Sequence, residues 1–338
     1  MKNWAKIVIA LLVLATLAVV ITFSIMAYMN PQSKEWAVKG DNIIKETAFE
    51  ESIESLDIMD NTWETALPQT ELYNLVSEHF ASPLPEGKTG KKAIVIGYDG
   101  CRADTFQLLK SSKKSSVNTL LNDGGHAVFS YCGGVNYPEE NIQATSTAPG
   151  WSTLLTGQWA YTFNVRDNNQ PKPVEPKTLL ISLVEDGIID SSAFYVSWTG
   201  HFMENDSTYI NEKKYIAENK INSNFHWSIS DIGTEKSVLS DLKKNDCSDF
   251  IFLTLEYTDH NGHNTGFTLE NPDYVNAFRN ADAAGANFIE AIKSRPNYEK
   301  EDWLILITTD HGGSGYGHGG PSIEERITFI VSNKEILK

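Results

Sequence analysis

Four short, almost wholly apolar runs limit the fold of this chain more than any other feature. They are Ala93–Gly97, Ala193–Trp198, Phe250–Leu255 and Trp303–Thr308. Each is too short for a buried helix and is rich in β-branched and aromatic residues. Apolar side chains at successive positions imply burial on both faces, the mark of strands in a parallel sheet between two helical layers. Helical periodicity lies between them, most clearly over Val275–Ile292. A further amphipathic helix is predicted after Thr70, where Leu72, Leu75, Val76 and Phe80 recur at helical spacing, and one last strand is predicted at Ile327–Ser332. The expected fold class is α/β: a doubly wound, mostly parallel sheet with helices on both faces.

Three of the runs lead directly into acidic and imidazole side chains. The first enters Gly97-Tyr-Asp99-Gly100, the third Glu256-Tyr-Thr-Asp259-His-Asn-Gly-His263, and the fourth Thr309-Asp310-His311-Gly312-Gly313. Open α/β sheets bind ligands beyond the carboxyl ends of their strands, so these groups are expected at one sheet edge. His318 follows in Gly315-Tyr-Gly-His318, and half of the eight histidines fall between 260 and 318. Carboxylate and imidazole together suit zinc and similar divalent ions. Taken singly, an Asp after a strand is usually a turn or cap residue. It is the set at one edge that points to a metal centre.

The segment Thr145-Ser-Thr147-Ala-Pro149-Gly-Trp-Ser-Thr-Leu-Leu-Thr156-Gly157 reads as a helix start, with Pro149 in an early position and Thr147 just outside. A helix N-terminus favours a phosphate. A threonine there is also an ordinary N-cap, and its hydroxyl is a weak nucleophile unless a base or metal lowers its pKa.

The formal charge of −16 excludes nucleic acid binding by a basic face, and any anionic substrate must be met locally. Cys101, Cys132 and Cys247 show no CxxC pairing, so a cysteine metal site is not expected; one bridge or none are both open. Residues 7–29 carry no charge and are long enough to span a bilayer. Lys2 and Lys6 precede them and an acidic stretch follows, which orients the remainder outside the cell by the positive-inside rule. The expected organisation is a cytoplasmic tail at 1–6, a transmembrane anchor at 7–29, a membrane-proximal stalk at 30–89 and a catalytic domain at 90–338.

With these motifs in place the chain resembles the alkaline phosphatase superfamily, in its type I phosphodiesterase/nucleotide pyrophosphatase branch. The residues carrying the resemblance are Asp99-Gly-Cys-Arg-Ala-Asp104, Thr147-Ala-Pro149 leading to Thr156-Gly157, Asp259 with His263, and Asp310-His311-Gly312, in the family's order between about Lys91 and Ile330. The resemblance implies two zinc ions, one held by Asp259, His263 and His318, the other by Asp99, Thr147, Asp310 and His311. It implies Thr147 as the nucleophile that becomes phosphorylated, and Asn168 as a phosphate contact, with Asn169 as its alternative. Gly150 and Trp151 depart from the Asn and His often found there. The implied activity is hydrolysis of a phosphate ester, such as a phosphodiester or nucleotide pyrophosphate. Phosphomonoesterase and sulfatase-like activities are the alternatives within the superfamily, and an inert surface binding module is the remote one. A sulfatase needs Cys or Ser where Thr147 stands, and the interval from Thr147 to Asp259 is too short for a phosphomutase cap domain. Trp198, His201, Phe202 and Glu204 are expected on the substrate side.

Overall fold

The computed structural model describes residues 47–133 and 143–337. The four apolar runs are strands β2 (Gly90–Tyr98), β4 (Ser192–Val196), β6 (Phe250–Leu255) and β7 (Glu301–Thr308), and the last strand is β8 (Ile327–Ser332). Three strands not foreseen join them: β1 (Leu67–Pro68), β3 (His126–Tyr131) and β5 (Ser223–Trp227). The sheet order is β1-β3-β8-β7-β2-β6-β4-β5. Every neighbouring pair is parallel except those made by β8, which runs antiparallel to both β3 and β7.

Alternation along the central strands fills two cores. Ile94, Ile96, Ile251, Leu253, Ile305 and Ile307 face one layer. Ala93, Val95, Phe250, Phe252, Leu304 and Leu306 face the other. Both faces are sealed, so the continuous apolar runs follow from the pleat. In chain order the helices are α1 (Thr47–Glu54), α2 (Glu71–Ala81), α3 (Ser116–Asn122), α4 (Thr147–Thr156), α5 (Leu179–Glu185), α6 (Ile210–Asn219), α7 (Asp231–Leu242), α8 (Tyr257–Thr265), α9 (Pro272–Lys293) and α10 (Ile323–Arg326). Helix α9 starts as its sequence dictates: the Asn271 side chain accepts from the Asp273 N–H, and Pro272 occupies the first turn, where no N–H is missed. Its Phe278, Ala281, Phe288 and Ile292 cover the first layer. Leu72, Val76 and Phe80 of α2 and Trp151, Leu154 and Leu155 of α4 cover the second.

The expected stalk at 30–89 is, over its described part, built into this body. Phe49, Ile53 and Trp63 lie in the first core, β1 pairs with β3, and α2 packs on β2. An acid-rich exterior hides these few anchoring side chains in the sequence. The apolar run 7–29 lies outside the described residues; among those described, no helix is long and apolar enough to cross a membrane. All three cysteines are buried and free.

A buried ion pair fixes the loop that follows α4. The side chains of Lys172 and Glu212 are both fully enclosed, with Nζ 2.9 Å from Oε1. Glu212 also accepts from the Thr178 backbone N–H and hydroxyl, and Lys172 donates to the carbonyls of Pro173 and Val174. Each charge is tolerated because the other is present. Glu212→Ala should cost about 3–5 kcal/mol in urea denaturation. Replacing both partners by apolar residues, Lys172→Met with Glu212→Leu, should cost markedly less than the single change.

Candidate active site and metal centre

Strands β7, β2 and β6 are adjacent and parallel, so their carboxyl ends deliver Asp310, Asp99 and the Asp259–His263 segment to one edge. Just past β2 the chain turns through Gly100 at φ +63°. A Cβ there would lie 2.8 Å from the Asp259 side chain, so the left-handed turn and the close approach both require glycine. The Arg102–Asp104 pair braces the turn. The Arg102 guanidinium donates twice to the Asp104 carboxylate, from Nε at 3.1 Å and Nη2 at 2.8 Å, and its Nη1 reaches the Phe267 carbonyl. Asp259 and His263 stand one helical turn apart in α8, on the same face. A tight turn in which Ser314 and Gly317 exchange backbone hydrogen bonds brings His318 back beside His311, ring centroids 4.0 Å apart. That turn explains how His318 serves a different group from His311 only seven residues upstream.

Two ligand clusters result. In one, Asp99, Asp310 and His311 gather beside Thr147. The His311 Nε2 lies 3.6 Å from Asp99 Oδ1 and 3.4 Å from Asp310 Oδ2, and all three side chains are fully buried. Thr147 Oγ1 sits 3.4 Å from Asp99 Oδ1 and 3.5 Å from His311 Nε2. In the other, the Nε2 atoms of His263 and His318 lie 3.5 and 3.4 Å from Asp259 Oδ1 and 3.0 Å from each other.

The donor set fits divalent ions on three counts. The Nδ1 of His263, His311 and His318 each meets a backbone carbonyl, of Tyr316, Gly312 and Thr145, at 3.0, 2.6 and 3.0 Å. Those contacts place the ring proton on Nδ1 and leave every Nε2 lone pair directed into a cluster. Asp259 Oδ1 and Asp310 Oδ2 are enclosed without a hydrogen-bond partner, a costly state that a cation relieves. Burial, and then Glu256 and Asp259, raise the Asp99 carboxyl well above its ordinary range; burial and then Asp99 do the same to Asp310. Burial, followed by His318, pushes His311 well below the usual imidazole value, favouring the neutral ligand form.

Thr147 is the first residue of α4 rather than its cap; Ser146 holds the extended cap position, and Pro149 lies within the first turn. The Asn168 Oδ1 accepts from the Ala148 N–H at 2.9 Å, so Asn168 is fixed to the nucleophile's helix. Asn169 is exposed and only closes its own turn with Asp167. A cavity of 650 Å³ opens over the clusters, lined by Thr147, Asn168, Trp198, Tyr257, His263 and His318 among others. Of the residues expected on the substrate side, Trp198 lines it. His201 is fully buried against Thr254, with its pKa pushed down to about 3 by burial, Phe202 belongs to the second core, and Glu204 is exposed away from the cavity.

Three residues at the site escaped the sequence reading. Glu256, whose carboxyl is raised by burial and then by Asp231 and Asp259, comes within ligand-atom reach of Asp99 and Asp259. Asp231 lines the same cavity and accepts from the Glu256 N–H. Trp151 donates its indole N–H to Asp99 Oδ2 at 2.8 Å. An acidic residue at the end of an apolar strand, as Glu256 is, was the signal available.

The raised carboxyls have a consequence for stability. An acid whose folded pKa exceeds its unfolded value of about 4 stabilises the fold only while protonated. The raised carboxyls should therefore make the metal-free protein lose stability as pH rises from about 4 through their raised values, while the depressed imidazoles of His311 and His318 act in the opposite sense as pH falls below about 6.5. A divalent cation held by either cluster would oppose the carboxyl effect at neutral pH, adding about 2.7 kcal/mol at a hundredfold excess over Kd. The gain should shrink as pH falls and the ligands protonate. Thermal unfolding of chelator-stripped protein across pH, with and without zinc, checks both trends.

The family described as type I phosphodiesterase/nucleotide pyrophosphatase matches residues 93–318. No curated protein matches. Among solved structures, murine ectonucleotide pyrophosphatase/phosphodiesterase 5 is 20% identical at a TM-score of 0.42, covering 66% of this chain and 57% of its own. Phosphonate monoester hydrolase of Agrobacterium radiobacter is 12% identical at a TM-score of 0.46, covering 72% and 68%. The periplasmic domain of a phosphoethanolamine transferase from Campylobacter jejuni is 16% identical at a TM-score of 0.44, covering 73% and 80%. The family match takes in every candidate ligand from Asp99 to His318 and most of the chain, which belongs to the type I phosphodiesterase/nucleotide pyrophosphatase family.

Proposed function

We propose that the protein hydrolyses phosphate diesters through a phosphorylated Thr147. One observation carries this reading: the Thr147 hydroxyl stands at a helix N-terminus, within 3.5 Å of both Asp99 and His311, and opens into the cavity shared with the second cluster. Thr147 Oγ attacks phosphorus, the P–O bond to the leaving alcohol breaks, and water then hydrolyses the phosphothreonine. Two divalent ions, zinc by the mixed carboxylate and imidazole donors, held by Asp259, His263 and His318 and by Asp99, Asp310 and His311 with Thr147, would supply Lewis acidity and neutralise the phosphate charge.

The chain's own groups do the positioning. Helix α4 offers the positive end of its dipole to the phosphate. Pro149 has no N–H to give, and the Ala148 N–H is held by Asn168, which keeps the Asn168 amide beside the incoming phosphate. Described residues lining the cavity include no Lys or Arg, so positive charge must come from bound cations. The cavity's room beyond Thr147, walled by Trp198 and Tyr257, favours a diester with a sizeable second group over a monoester. Nucleotide diesters and pyrophosphates are within this class; a murine relative was solved with AMP. A sulfatase-like reaction would require another residue at position 147.

Thr147→Ala should lower kcat on an aryl phosphodiester by on the order of 10⁴-fold or more, with zinc content largely retained because six other ligands remain. Thr147→Ser should keep far more activity, since the hydroxyl survives, and Thr145→Ala and Ser146→Ala should each fall well short of the Thr147→Ala loss. Mass spectrometry of quenched enzyme should find the phosphate on Thr147. Near-normal turnover by Thr147→Ala, or a phosphate on Ser146, would overturn the assignment.

A further inference from the structure

Helix α4 grips both oxygens of one carboxylate. Thr147 and Trp151 are four residues apart, so they lie on the same helical face. Thr147 Oγ1 approaches Asp99 Oδ1 at 3.4 Å, and the Trp151 indole Nε1 donates to Asp99 Oδ2 at 2.8 Å. Trp151 is fully buried. Its ring meets Phe252 of β6 edge to face, centroids 5.6 Å apart. It also fills the space beside Gly97 of β2, where a Cβ would fall 2.4 Å from the indole. The slot for the ring is thus written into the strand that ends at Asp99. An indole has one polar atom, a donor, and burying it unpaired is unfavourable. Its one partner is the oxygen of Asp99 turned away from Thr147 and His311.

We propose that Trp151 is a positioning residue for the cluster of Asp99, Asp310 and His311. It fixes the plane of the Asp99 carboxylate, ties up Oδ2, and leaves Oδ1 as the single oxygen offered to an ion beside Thr147. Because the tie and the nucleophile sit on one rigid helix, any shift of α4 moves Thr147 and the Asp99 carboxylate together. The proposal rests on the two-ion reading of the site. It concerns a side chain that touches neither phosphate nor ion and acts only through Asp99. It also gives a physical role to a position where the sequence departs from the residue often found in relatives.

The test is a chelator-competition titration of metal-stripped protein with zinc, comparing wild type, Trp151→Phe and Phe252→Leu. Trp151→Phe keeps an aromatic ring and removes the donor; Phe252→Leu damages the packing and leaves the donor. Wild type should take up two ions. Trp151→Phe should bind one of them about 10–100-fold more weakly, as loss of an outer hydrogen-bond partner does, and the other with unchanged affinity. Phe252→Leu should lower the unfolding temperature and leave both affinities near wild type. If Trp151→Phe fails to fold, benzothienylalanine incorporated at position 151, with sulfur in place of the N–H, preserves the ring's shape and asks the same question. Wild-type affinity at both sites in the donor-less protein overturns the proposal, as does equal weakening at both sites. A wild type that binds no zinc overturns the two-ion reading itself, and this proposal with it.

Discussion

Crowding of carboxyl groups, some of them fully buried, at the ends of three neighbouring strands is the constraint on which the rest of the site depends. Asp99, Asp259 and Asp310 converge with Glu256 close by, and burial, reinforced by the neighbouring carboxylates, raises the carboxyls of Asp99, Asp310 and Glu256. A stable fold tolerates such a cluster only if every group is anchored and something positive completes it. The anchoring is systematic. Asp99 is held through Oδ2 by Trp151, Asp310 through Oδ1 by the Gly100 N–H, and the three histidines through Nδ1 by carbonyls. Each of these five residues has one atom tied to the scaffold and one left over. A protein of net charge −16 thereby acquires a place for an anion without a single cationic side chain among the described residues lining its cavity.

What could be read from the sequence was what the sheet edge enforces. Strands buried on both faces announce themselves by unbroken apolar runs, and the residues just after each run must lie at the carboxyl edge, so the sequence alone puts Asp99, Asp259 and Asp310 there. His318 was harder, because a span of seven residues from His311 serves a second cluster only if the chain reverses at once, and the Ser314–Gly317 turn does that. Strand β5, Ser-Asn-Phe-His-Trp, has mostly exposed or half-exposed side chains at the sheet's edge and carries no apolar run to detect.

Other features were hidden because they depend on tertiary partners. His201, expected on the substrate side, lies instead inside an aromatic cluster, stacked near Tyr209 and edge-on to Phe194. Trp151 stood out only as a departure from the residue often found there, and its one polar atom has its partner 52 positions away. Phe49, Ile53 and Trp63 read as isolated apolar residues in an acidic stretch, since only the finished core shows that they close one of its faces.

The strand order carries a further consequence, for assembly in time. Central β2 is zipped between β6 and β7, with Ala93 opposite Phe250 and Gly90 opposite Glu301. Both neighbours are supplied from far downstream, and loop closure over such spans is slow. During synthesis the segments bearing Asp99 and Thr147 emerge long before their partners and must wait, unpaired, until β7 and the His318 turn have been made. The candidate ligand set of Asp99, Asp259, His263, Asp310, His311 and His318 is therefore among the last features the nascent chain can complete. Any cation that this set holds can be captured only after the topology has been decided.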